Sequence, residues 1–331
     1  MGKDGFKLFK VVEPSKNMKV SVCLTVFNEE KSIKKLLESL LSQTRKPDEI
    51  VIVDGDSTDK TVEIIRHFQK KYKVIKLLIE KCNRARGRNL SVEFAKNEII
   101  AITDADCVAE KHWLERITEP FKEGKVDISA GFYRMRAENS FQRAESVYLG
   151  VLPSKFDDTF LPSTRSIAFR KKIWEEIGGF PEGKNNSAED TDFNYKAVKM
   201  GAKYSRVKNA RVEWRIPNSF SVFIKKIYDY AKWDASYGIW WHPAKGLSSH
   251  NIKAFFIVLR YLLGFILLLL SLNNPSLFPI LFILILLYII WSFRKVYLEY
   301  RDWQAGLWGI ILQFTTDIAV IVGFLSGLAK N

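Results

Sequence analysis

The stretch Glu98–Cys107, EIIAITDADC, joins a short apolar run to two acidic residues. Four apolar residues are followed, after Thr103, by Asp104 and Asp106, with only Ala105 between the two carboxylates. Carboxylates this close repel each other unless a cation or a hydrogen-bond donor offsets their charge. Oxygen ligands at this spacing suit Mg²⁺ or Mn²⁺, which take water and phosphate oxygens as their remaining ligands. Surface turns also contain Asp-x-Asp, but the position after an apolar strand favours a metal and phosphate site.

The residues around this stretch alternate between the periods of strands and helices. Three earlier apolar runs read as strands, namely KVSVCLTVF (19–27), EIVIVD (49–54) and VIKLLI (74–79). Helical spacing of apolar residues separates them, in EEKSIKKLLESLLSQ (29–43), TDKTVEIIRHFQKKY (58–72) and RGRNLSVEFAK (86–96). Further strands are expected at 126–135 and 166–170, and further helices at 171–180 and 189–201. The alternation predicts an α/β fold with a mostly parallel sheet and helices on both faces.

Polar loops follow the predicted strands at the positions where parallel sheets bind ligands, outside their carboxyl ends. These loops are Asn28–Glu30, Asp54–Asp59, Lys81–Arg88 and Asp104–Asp106. In the second loop an Asp can accept hydrogen bonds from a base or a ribose, and Gly55 lets the backbone come close. An ordinary turn, in which Ser57 or Thr58 caps the next helix, would also account for the residues of this loop.

Three arginines, Arg84, Arg86 and Arg88, precede or open the third predicted helix. A run of charges is commonly a solvated face of the protein. Arg88, however, begins a helix beneath the same sheet edge, where a diphosphate would lie against backbone N–H groups and guanidinium. The third loop is therefore a candidate phosphate-binding loop.

Three apolar segments follow residue 254: Phe255–Leu272, Leu277–Phe293 and Ala305–Ala329. At ~1.5 Å per residue in a helix, each is long enough to cross roughly 30 Å of hydrocarbon. The loop at 273–276 is uncharged, whereas the loop at 294–304 carries Arg294, Lys295 and Arg301. The positive-inside rule places this second loop and the large N-terminal part in the cytoplasm. Asp317, inside the last segment, is expected to face a neighbouring helix and pair with Arg260.

The formal net charge of +14 suits anionic partners such as lipid head groups and nucleotide diphosphates. No recognisable nucleic-acid motif accompanies the basic residues, so we expect no nucleic-acid partner. Residues 219–241 mix aromatic residues with lysines, which is typical of a helix in the membrane interface. We therefore expect a cytosolic domain at 1–218, an interfacial helix and linker at 219–253, and a membrane domain of three helices at 254–331.

Seven motifs, in the order VFNEE, VDGDSTDKT, RGRN, TDADC…W, STRSIAFRKKIWEEIGGFPE, AEDTDF and VEWR, carry a resemblance to a known family. Their order resembles that of the inverting family 2 glycosyltransferases of GT-A fold, over roughly residues 20–238. The resemblance implies a metal-dependent transferase that moves a sugar from a nucleotide-sugar donor to an acceptor hydroxyl. It also implies that Asp190 is the general base, that Asp106 ligates Mg²⁺ or Mn²⁺, and that Asp54, Asp56 and Asp104 bind the nucleotide.

The full set of residues expected to bind donor or acceptor comprises Asn28, Glu30, Asp54, Asp56, Arg84, Arg88, Asp104, Arg165 and Arg215. Glu189 and Asp192 are weaker candidates, because acidic residues are common in the first turn of any helix. Trp214, in VEWR, stands where several members of the family have a metal-ligating histidine. The metal is then expected to take more of its ligands from water or phosphate.

The membrane segments suggest that the acceptor is a lipid-linked glycan. Two alternatives remain open from the sequence: a transferase whose acceptor is a polyprenyl phosphate, and an inactive membrane-tethered protein that binds anionic ligands. The Gln-x-x-Arg-Trp signature of processive synthases is missing, and DYAKW (229–233) is only a faint echo of it. We therefore expect single transfers rather than polymerisation, by a multi-pass membrane protein whose catalytic domain faces the cytoplasm.

Overall fold

A single sheet organises the first two-thirds of the chain in the computed structural model, which describes residues 18–183, 188–240 and 250–329. Within those ranges eight strands lie in the order β3-β2-β1-β4-β7-β6-β8-β5. They are β1 (Val20–Val26), β2 (Glu49–Asp54), β3 (Ile75–Ile79), β4 (Ile99–Ile102), β5 (Cys107–Ala109), β6 (Ile128–Arg136), β7 (Ile167–Arg170) and β8 (Tyr204–Arg215).

Helices cover this sheet and then continue into the C-terminal part of the chain. The described residues contain α1 (Ile33–Leu41), α2 (Thr61–Lys71), α3 (Arg84–Phe94), α4 (Trp113–Thr118), α5 (Ser140–Leu149), α6 (Lys171–Ile177), α7 (Glu189–Lys199), α8 (Phe220–Ser236), α9 (His250–Asn273), α10 (Phe278–Tyr300) and α11 (Trp303–Leu328). The predicted alternation of strands and helices is confirmed, as is the mostly parallel sheet covered by helices.

The N-terminal half of the sheet is parallel, because β1 pairs with β2 and β4, and β2 pairs with β3, all in the same direction. The registers place Val26 beside Asp54 and Asp54 beside Ile79, so these strands end at one edge. All residues of β2 and β4 are buried, as expected for strands with helices on both faces. The shared edge brings the predicted polar loops together.

The second half of the sheet mixes directions. β7 is antiparallel to both β4 and β6, β6 is parallel to β8, and β5 is antiparallel to β8. The β5–β8 pairing places Cys107 opposite Trp214. It therefore carries Trp214 to the side of Asp106, although more than a hundred residues separate them in sequence.

The C-terminal part contains three helices that are long and apolar enough to cross a membrane: His250–Asn273, Pro275–Tyr300 and Trp303–Leu328. The first two leave most of their apolar surface uncovered by protein, whereas 44% of the most apolar window of the third is buried. The last helix, α11, is therefore the one against which the other elements pack. The three predicted segments are confirmed as helices, and the first and third start earlier than predicted. A 3-10 turn at Pro275–Leu277 precedes α10, which continues to Tyr300. The loop predicted at 294–304 was therefore wrong at its start, because Arg294 and Lys295 lie in the last turns of α10.

The helix predicted for the membrane interface is present as α8, and it packs along α11. At Gly323 and Gly327 of α11, an added Cβ would collide with the backbone carbonyls of Tyr228 and Lys232 on α8. Glycine at these two positions allows the close approach of the helices. The boundaries predicted at 218 and 253 remain predictions, and residues 241–249 lie outside the described part of the chain.

A second connection between the sheet domain and the membrane helices is made by α5. Arg143 pairs with Asp302 at 2.7 Å, and the Tyr148 hydroxyl donates to the Gly309 carbonyl at 2.8 Å. Ser146 and the Tyr300 hydroxyl are 2.7 Å apart. Polar contacts along a whole helix fix the edge of the sheet domain against α10 and α11.

Candidate active site

The loops after β1 and β2 support each other through side-chain hydrogen bonds. Asn28 and Asp56 have left-handed backbone, with φ of 55° and 75°. The Asn28 Oδ1 accepts from the Thr58 amide at 2.9 Å, and Asp54 Oδ1 accepts from the Ser57 amide at 2.8 Å. Asp54 is fully buried and braces its own turn, while Asp56 is exposed. The nucleotide-binding roles of Asn28, Asp54 and Asp56 remain predictions.

Neither Ser57 nor Thr58 caps the following helix, so the capping alternative was wrong. The helix α2 begins at Thr61, whose amide donates to Asp59 Oδ1 at 2.9 Å. Ser57 instead donates its hydroxyl to Asp54 Oδ2 at 2.7 Å. The polar residues of this loop therefore form hydrogen bonds within the loop and with the neighbouring loop after β1.

Arg88 is the buried cation at the centre of the site. Its guanidinium pairs with Asp104 Oδ1 at 2.8 Å and also with Glu189, and only 4% of the residue is exposed. A buried charge is tolerated when it is paired and hydrogen-bonded. The solvated-face interpretation was therefore wrong for Arg88. It holds for Arg86, whose surface pairs with Glu93 and Glu182 measure 3.2 and 3.4 Å.

The two aspartates of the opening motif point to different partners. Asp104 faces Arg88, whereas Asp106 Oδ2 accepts the indole N–H of Trp214 at 2.8 Å. The Arg165 guanidinium lies 3.7 Å from the centre of the Trp214 ring. Burial alone would raise the pKa of Asp104, but Arg88, followed by Arg165 and Arg84, outweighs it and lowers that pKa. The charge of Asp104 is thus largely offset by the protein's own cations, whereas the indole that donates to Asp106 carries no charge.

The donors near Asp106 fit a divalent cation that arrives with a phosphate group. Among the described residues no cluster of three His, Cys, Asp or Glu side chains is arranged to hold a metal. Within the described ranges, one oxygen of Asp106 accepts the Trp214 indole N–H, and the other has only a 3.7 Å contact to the Cys107 thiol. The pKa of nearby Glu29 is raised, by burial first and then by Asp106 and Asp104. Negative potential therefore remains here, and one carboxylate oxygen suits Mg²⁺ or Mn²⁺ that is otherwise bound by phosphate and water.

Asp190 lies in the first turn of α7, where Asp190 Oδ1 accepts the Thr191 amide at 2.8 Å. Burial, followed by the neighbouring charge of Glu189, raises its pKa to about 6. Arg88 and Arg165 act in the opposite direction and limit the shift. A carboxylate with this pKa is mainly ionised at neutral pH and is a stronger base than an ordinary aspartate. The group has the properties of a general base.

Two cavities collect most of the predicted site residues. The main cavity, about 660 Å³, is lined on its sheet side by Arg84, Arg88, Asp104, Arg165 and Asp190. The small cavity, about 390 Å³, is lined by Asn28, Glu30, Asp106 and Arg215 among others. Asp54 and Asp56 belong to the lining of neither. Nine of the eleven predicted site residues therefore line one of the two cavities. Asp104 lines the main cavity, and Asp106 lines the small one.

Sequence reasoning undervalued Glu189 and missed Tyr133. Glu189 was treated as a possible helix-end acid, but it is 3% exposed, pairs with Arg88, and lies 4.0 Å from Arg84. Tyr133 lines the main cavity, with the Arg165 guanidinium 5.2 Å from its ring. The adjacent acids Glu189 and Asp190 were visible in AED at the start of α7, where acidic residues are ordinary, whereas nothing local distinguishes Tyr133 from a core aromatic.

Comparisons with known proteins agree with this geometry. The family described as glycosyl transferase family 2 matches residues 21–197. Glycosyltransferase AglE of Haloferax volcanii is 30% identical over 169 residues, 49% of this chain and 56% of that protein. The match to an uncharacterized Nostoc glycosyltransferase, at 29% identity, covers 48% of this chain and 53% of that protein. The chain thus spans about half the length of these relatives.

Two further similarities extend over nearly the whole chain. A Methanococcus voltae protein is 27% identical over 330 residues, 94% of this chain and 98% of its own length. Its name is dolichyl N-acetyl-α-D-glucosaminyl phosphate 3-β-D-2,3-diacetamido-2,3-dideoxy-β-D-glucuronosyltransferase. The structure of a Pyrobaculum calidifontis mannosyltransferase with GDP-Man and Mn²⁺ is similar with a TM-score of 0.62 at 18% identity, covering 96% of this chain and 89% of that one. This last similarity establishes the shared fold.

Proposed function

The chain belongs to glycosyl transferase family 2 and is a transferase, and from this premise we propose that it glycosylates a lipid-linked glycan. A nucleotide-sugar donates the sugar, a hydroxyl of the glycan accepts it, and the anomeric carbon is inverted. The main cavity is the observation that carries the proposal. It is lined by Asp190 and Arg88 and also by residues of α9, α10 and α11. The residues proposed for catalysis and for donor binding therefore line the same cavity as the apolar helices.

The donor is proposed to lie along the carboxyl edge of the sheet. Arg84 and Arg88 offer guanidinium groups to the diphosphate, which they recognise through charge-assisted hydrogen bonds. The nucleoside is held by the loops that carry Asn28, Asp54, Asp56 and Asp104. A Mg²⁺ or Mn²⁺ ion held by Asp106 would neutralise charge on the leaving diphosphate.

Asp190 supplies the proton chemistry. It accepts the proton of the acceptor hydroxyl as the oxygen bonds to the anomeric carbon from the face opposite the diphosphate. The bond from that carbon to the diphosphate oxygen breaks, and the nucleoside diphosphate leaves with the electron pair. General-base assistance of this kind contributes ~10²–10⁴ in rate. Arg165 and Arg215 are proposed to steady phosphate or acceptor at the edges of the two cavities.

The acceptor and the location are supported by the helices and by one relative. The Methanococcus voltae protein, which matches over 94% of this chain, is named for a dolichyl phosphate-linked sugar. Three helices of membrane-spanning length stand beside the cavity. Arg294 and Lys295 at the C-terminal end of α10, and Arg301 directly after it, place basic residues at one end of the apolar helices. This supports a multi-pass protein of the cell membrane with its catalytic domain in the cytoplasm.

The proposal is tested with purified protein in neutral lipid nanodiscs. UDP-, GDP- and dTDP-sugars with a radiolabelled sugar are offered with a lipid extract as acceptor source, with Mn²⁺ or Mg²⁺ or with a chelator. We expect one donor to label the lipid fraction, with release of its nucleoside diphosphate and loss of activity on chelation. Nucleotide binding without consumption of any donor would instead identify an inactive binding protein.

A further inference from the structure

We propose that Lys253, Arg260 and Lys295 bind the phosphate that links the acceptor glycan to its lipid, a step that rests on the proposed transferase function. These residues lie on the apolar helices α9 and α10, and all three line the main cavity. Asp190 lines the sheet side of the same cavity. A lipid-linked glycan with its phosphate at the cationic end would therefore reach the general base without leaving the cavity.

The three cations are not balanced by carboxylates. Asp317 on α11 accepts from Arg260 at 2.8 Å, from Tyr261 at 3.0 Å and from Gln313 at 3.0 Å, and also from Tyr288. The expected Arg260–Asp317 pair is thus confirmed, and that carboxylate is saturated with donors. Asp234, which also lines the cavity, is paired with His250 at 2.6 Å. The three cations Lys253, Arg260 and Lys295 therefore still outnumber the two acids Asp234 and Asp317.

Lys253 and Lys295 have no ion pair within the part of the chain that the structure describes. Lys295 Nζ lies 3.3 Å from Gln313 Oε1 and 3.9 Å from the centre of the Tyr148 ring. Amide and aromatic partners orient an ammonium group without neutralising it. The ammonium group of Lys295 is therefore held in place without an ion pair, and Lys253 is exposed and lines the same cavity, so both are available to an anion.

Unsatisfied polar atoms line the same cavity. Within the described ranges, the Asn251 Oδ1 and Thr316 Oγ1 atoms are buried and have no hydrogen-bond partner. The two residues are 0% and 9% exposed, and both belong to the lining of the main cavity. Buried polar atoms without partners are costly, which points to a polar ligand that supplies the missing contacts.

The position of Lys253, Arg260 and Lys295 on apolar helices favours a phosphate that is attached to a lipid. Ionisable residues in membrane helices are costly and usually mark a ligand or ion site that faces a cavity. Here the cavity is surrounded by apolar helices on one side and by the catalytic carboxylate on the other. A polyprenyl-type phosphate or diphosphate that carries a sugar fits both ends, whereas a bulk phospholipid head group fits only the cationic end.

The test uses the full-length protein in phosphatidylcholine nanodiscs and two acceptors that carry the same glycan. One acceptor has a polyprenyl diphosphate, and the other has an uncharged alkyl chain. We expect Lys253→Gln and Lys295→Gln each to raise KM about tenfold or more for the diphosphate acceptor, the size expected for one lost charge-assisted contact. Neither change should alter KM for the uncharged acceptor or for the nucleotide-sugar, and Lys295→Arg should recover most of the loss.

Arg294→Gln is the matched control, because Arg294 is exposed and adjacent to Lys295 on α10. Unchanged KM values in both lysine variants, or equal losses with both acceptors, would overturn the phosphate site while leaving the transferase function intact. A wild type that consumes no nucleotide-sugar with either acceptor would instead overturn the proposed function. If the lysines mattered only when phosphatidylglycerol was added, with acceptor KM unchanged, the cluster would be a site for bulk lipid head groups, and the proposal would be wrong.

Discussion

At the scale of single residues, the surroundings of Asp190 set the pH at which the proposed reaction runs. A general base works in its ionised form, so the rate rises as pH rises through its pKa. Burial and Glu189 raise that pKa to about 6. We expect kcat/KM, which reports the ionisation of the free enzyme, to increase between pH 5 and 7 and to be half-maximal near pH 6. A rate independent of pH over this range would remove Asp190 from the role of base.

Arg88 and Arg86 form a matched pair for testing how the site is held together. Arg88 is buried between Asp104 and Glu189, whereas Arg86 lies two residues away with surface pairs only. Removing one partner of a buried ion pair typically costs ~3–5 kcal/mol, because the remaining charge stays buried and uncompensated. Exposed pairs contribute about 0–1 kcal/mol.

We therefore expect Arg88→Met to lower the free energy of unfolding by several kcal/mol and Arg86→Met to leave it nearly unchanged. Denaturant unfolding followed by tryptophan fluorescence measures both. Similar small effects in the two variants would show that Arg88 is not the hub of the carboxylate cluster.

The sequence located most of these residues but not their contacts. Asp104 and Arg88 follow strand ends, and strand ends are readable from apolar runs, so their meeting was predictable. The contact between Asp106 and Trp214 depends on the pairing of β5 with β8, which no local pattern specifies. The buried pairing of Glu189 was missed because the same acid at a helix start is ordinary.

At the scale of elements, the contact between α8 and α11 could not be predicted from the composition of either helix. Aromatic and basic residues correctly predicted a helix after residue 219, and its amphipathic character suggested a membrane surface. The structure packs it on α11 at Gly323 and Gly327, and its place at a membrane surface stays a prediction. Glycines on one helix indicate a close helix contact only when the helix that faces them is known. The sequence alone therefore did not predict this contact.

This contact gives an element-scale prediction with an internal control. Gly323→Ala and Gly327→Ala place a Cβ against backbone atoms of α8, whereas an added Cβ at Gly264 on α9 meets no atom of the described residues within 4 Å. Overpacking typically costs about 1–3 kcal/mol. We expect the first two variants to melt at lower temperature in detergent and Gly264→Ala to melt no lower than wild type. Equal melting temperatures for all three would contradict the observed packing of α8 on α11.

At the scale of the whole molecule, a buried carboxyl at the junction of the two parts couples stability to pH. Glu145 on α5 is 0% exposed, and within the described residues neither of its carboxyl oxygens has a hydrogen-bond partner. Burial raises its pKa from 4.5 to about 8, and Lys226 on α8 acts weakly in the opposite direction. The folded protein therefore holds a proton here that the unfolded chain releases above its ordinary pKa.

The sign of the effect follows from this proton. Below pH 4.5 both states are protonated, and between pH 4.5 and about 8 only the folded state is, so stability falls as pH rises through this window. We expect Glu145→Gln to remove that part of the pH dependence and to be more stable than wild type at pH 8. The difference in melting temperature between the two proteins at pH 5 and pH 8 measures it. A constant difference across the window would mean that Glu145 is ionised in the folded protein.

The general plan of the molecule was predictable, since apolar periodicity specified the parallel sheet and three long apolar helices. The docking of these parts was not, because it depends on α5, whose polar residues pair with Asp302 and the Gly309 carbonyl far along the chain. That docking creates the main cavity. The proposed acceptor therefore follows from the assembled molecule and not from any single motif.

The central claim, that Asp190 deprotonates a glycan hydroxyl in this cavity, is tested most directly with one variant and two acceptors. Transfer from the nucleotide-sugar is measured for wild type and Asp190→Asn, with a lipid-linked glycan and with a bare polyprenyl phosphate, which is already an anion and needs no base. We predict transfer to the glycan by wild type, a loss of ~10²–10⁴-fold in Asp190→Asn, and no transfer to the phosphate by either protein. Near-normal transfer to polyprenyl phosphate by Asp190→Asn would contradict the claim.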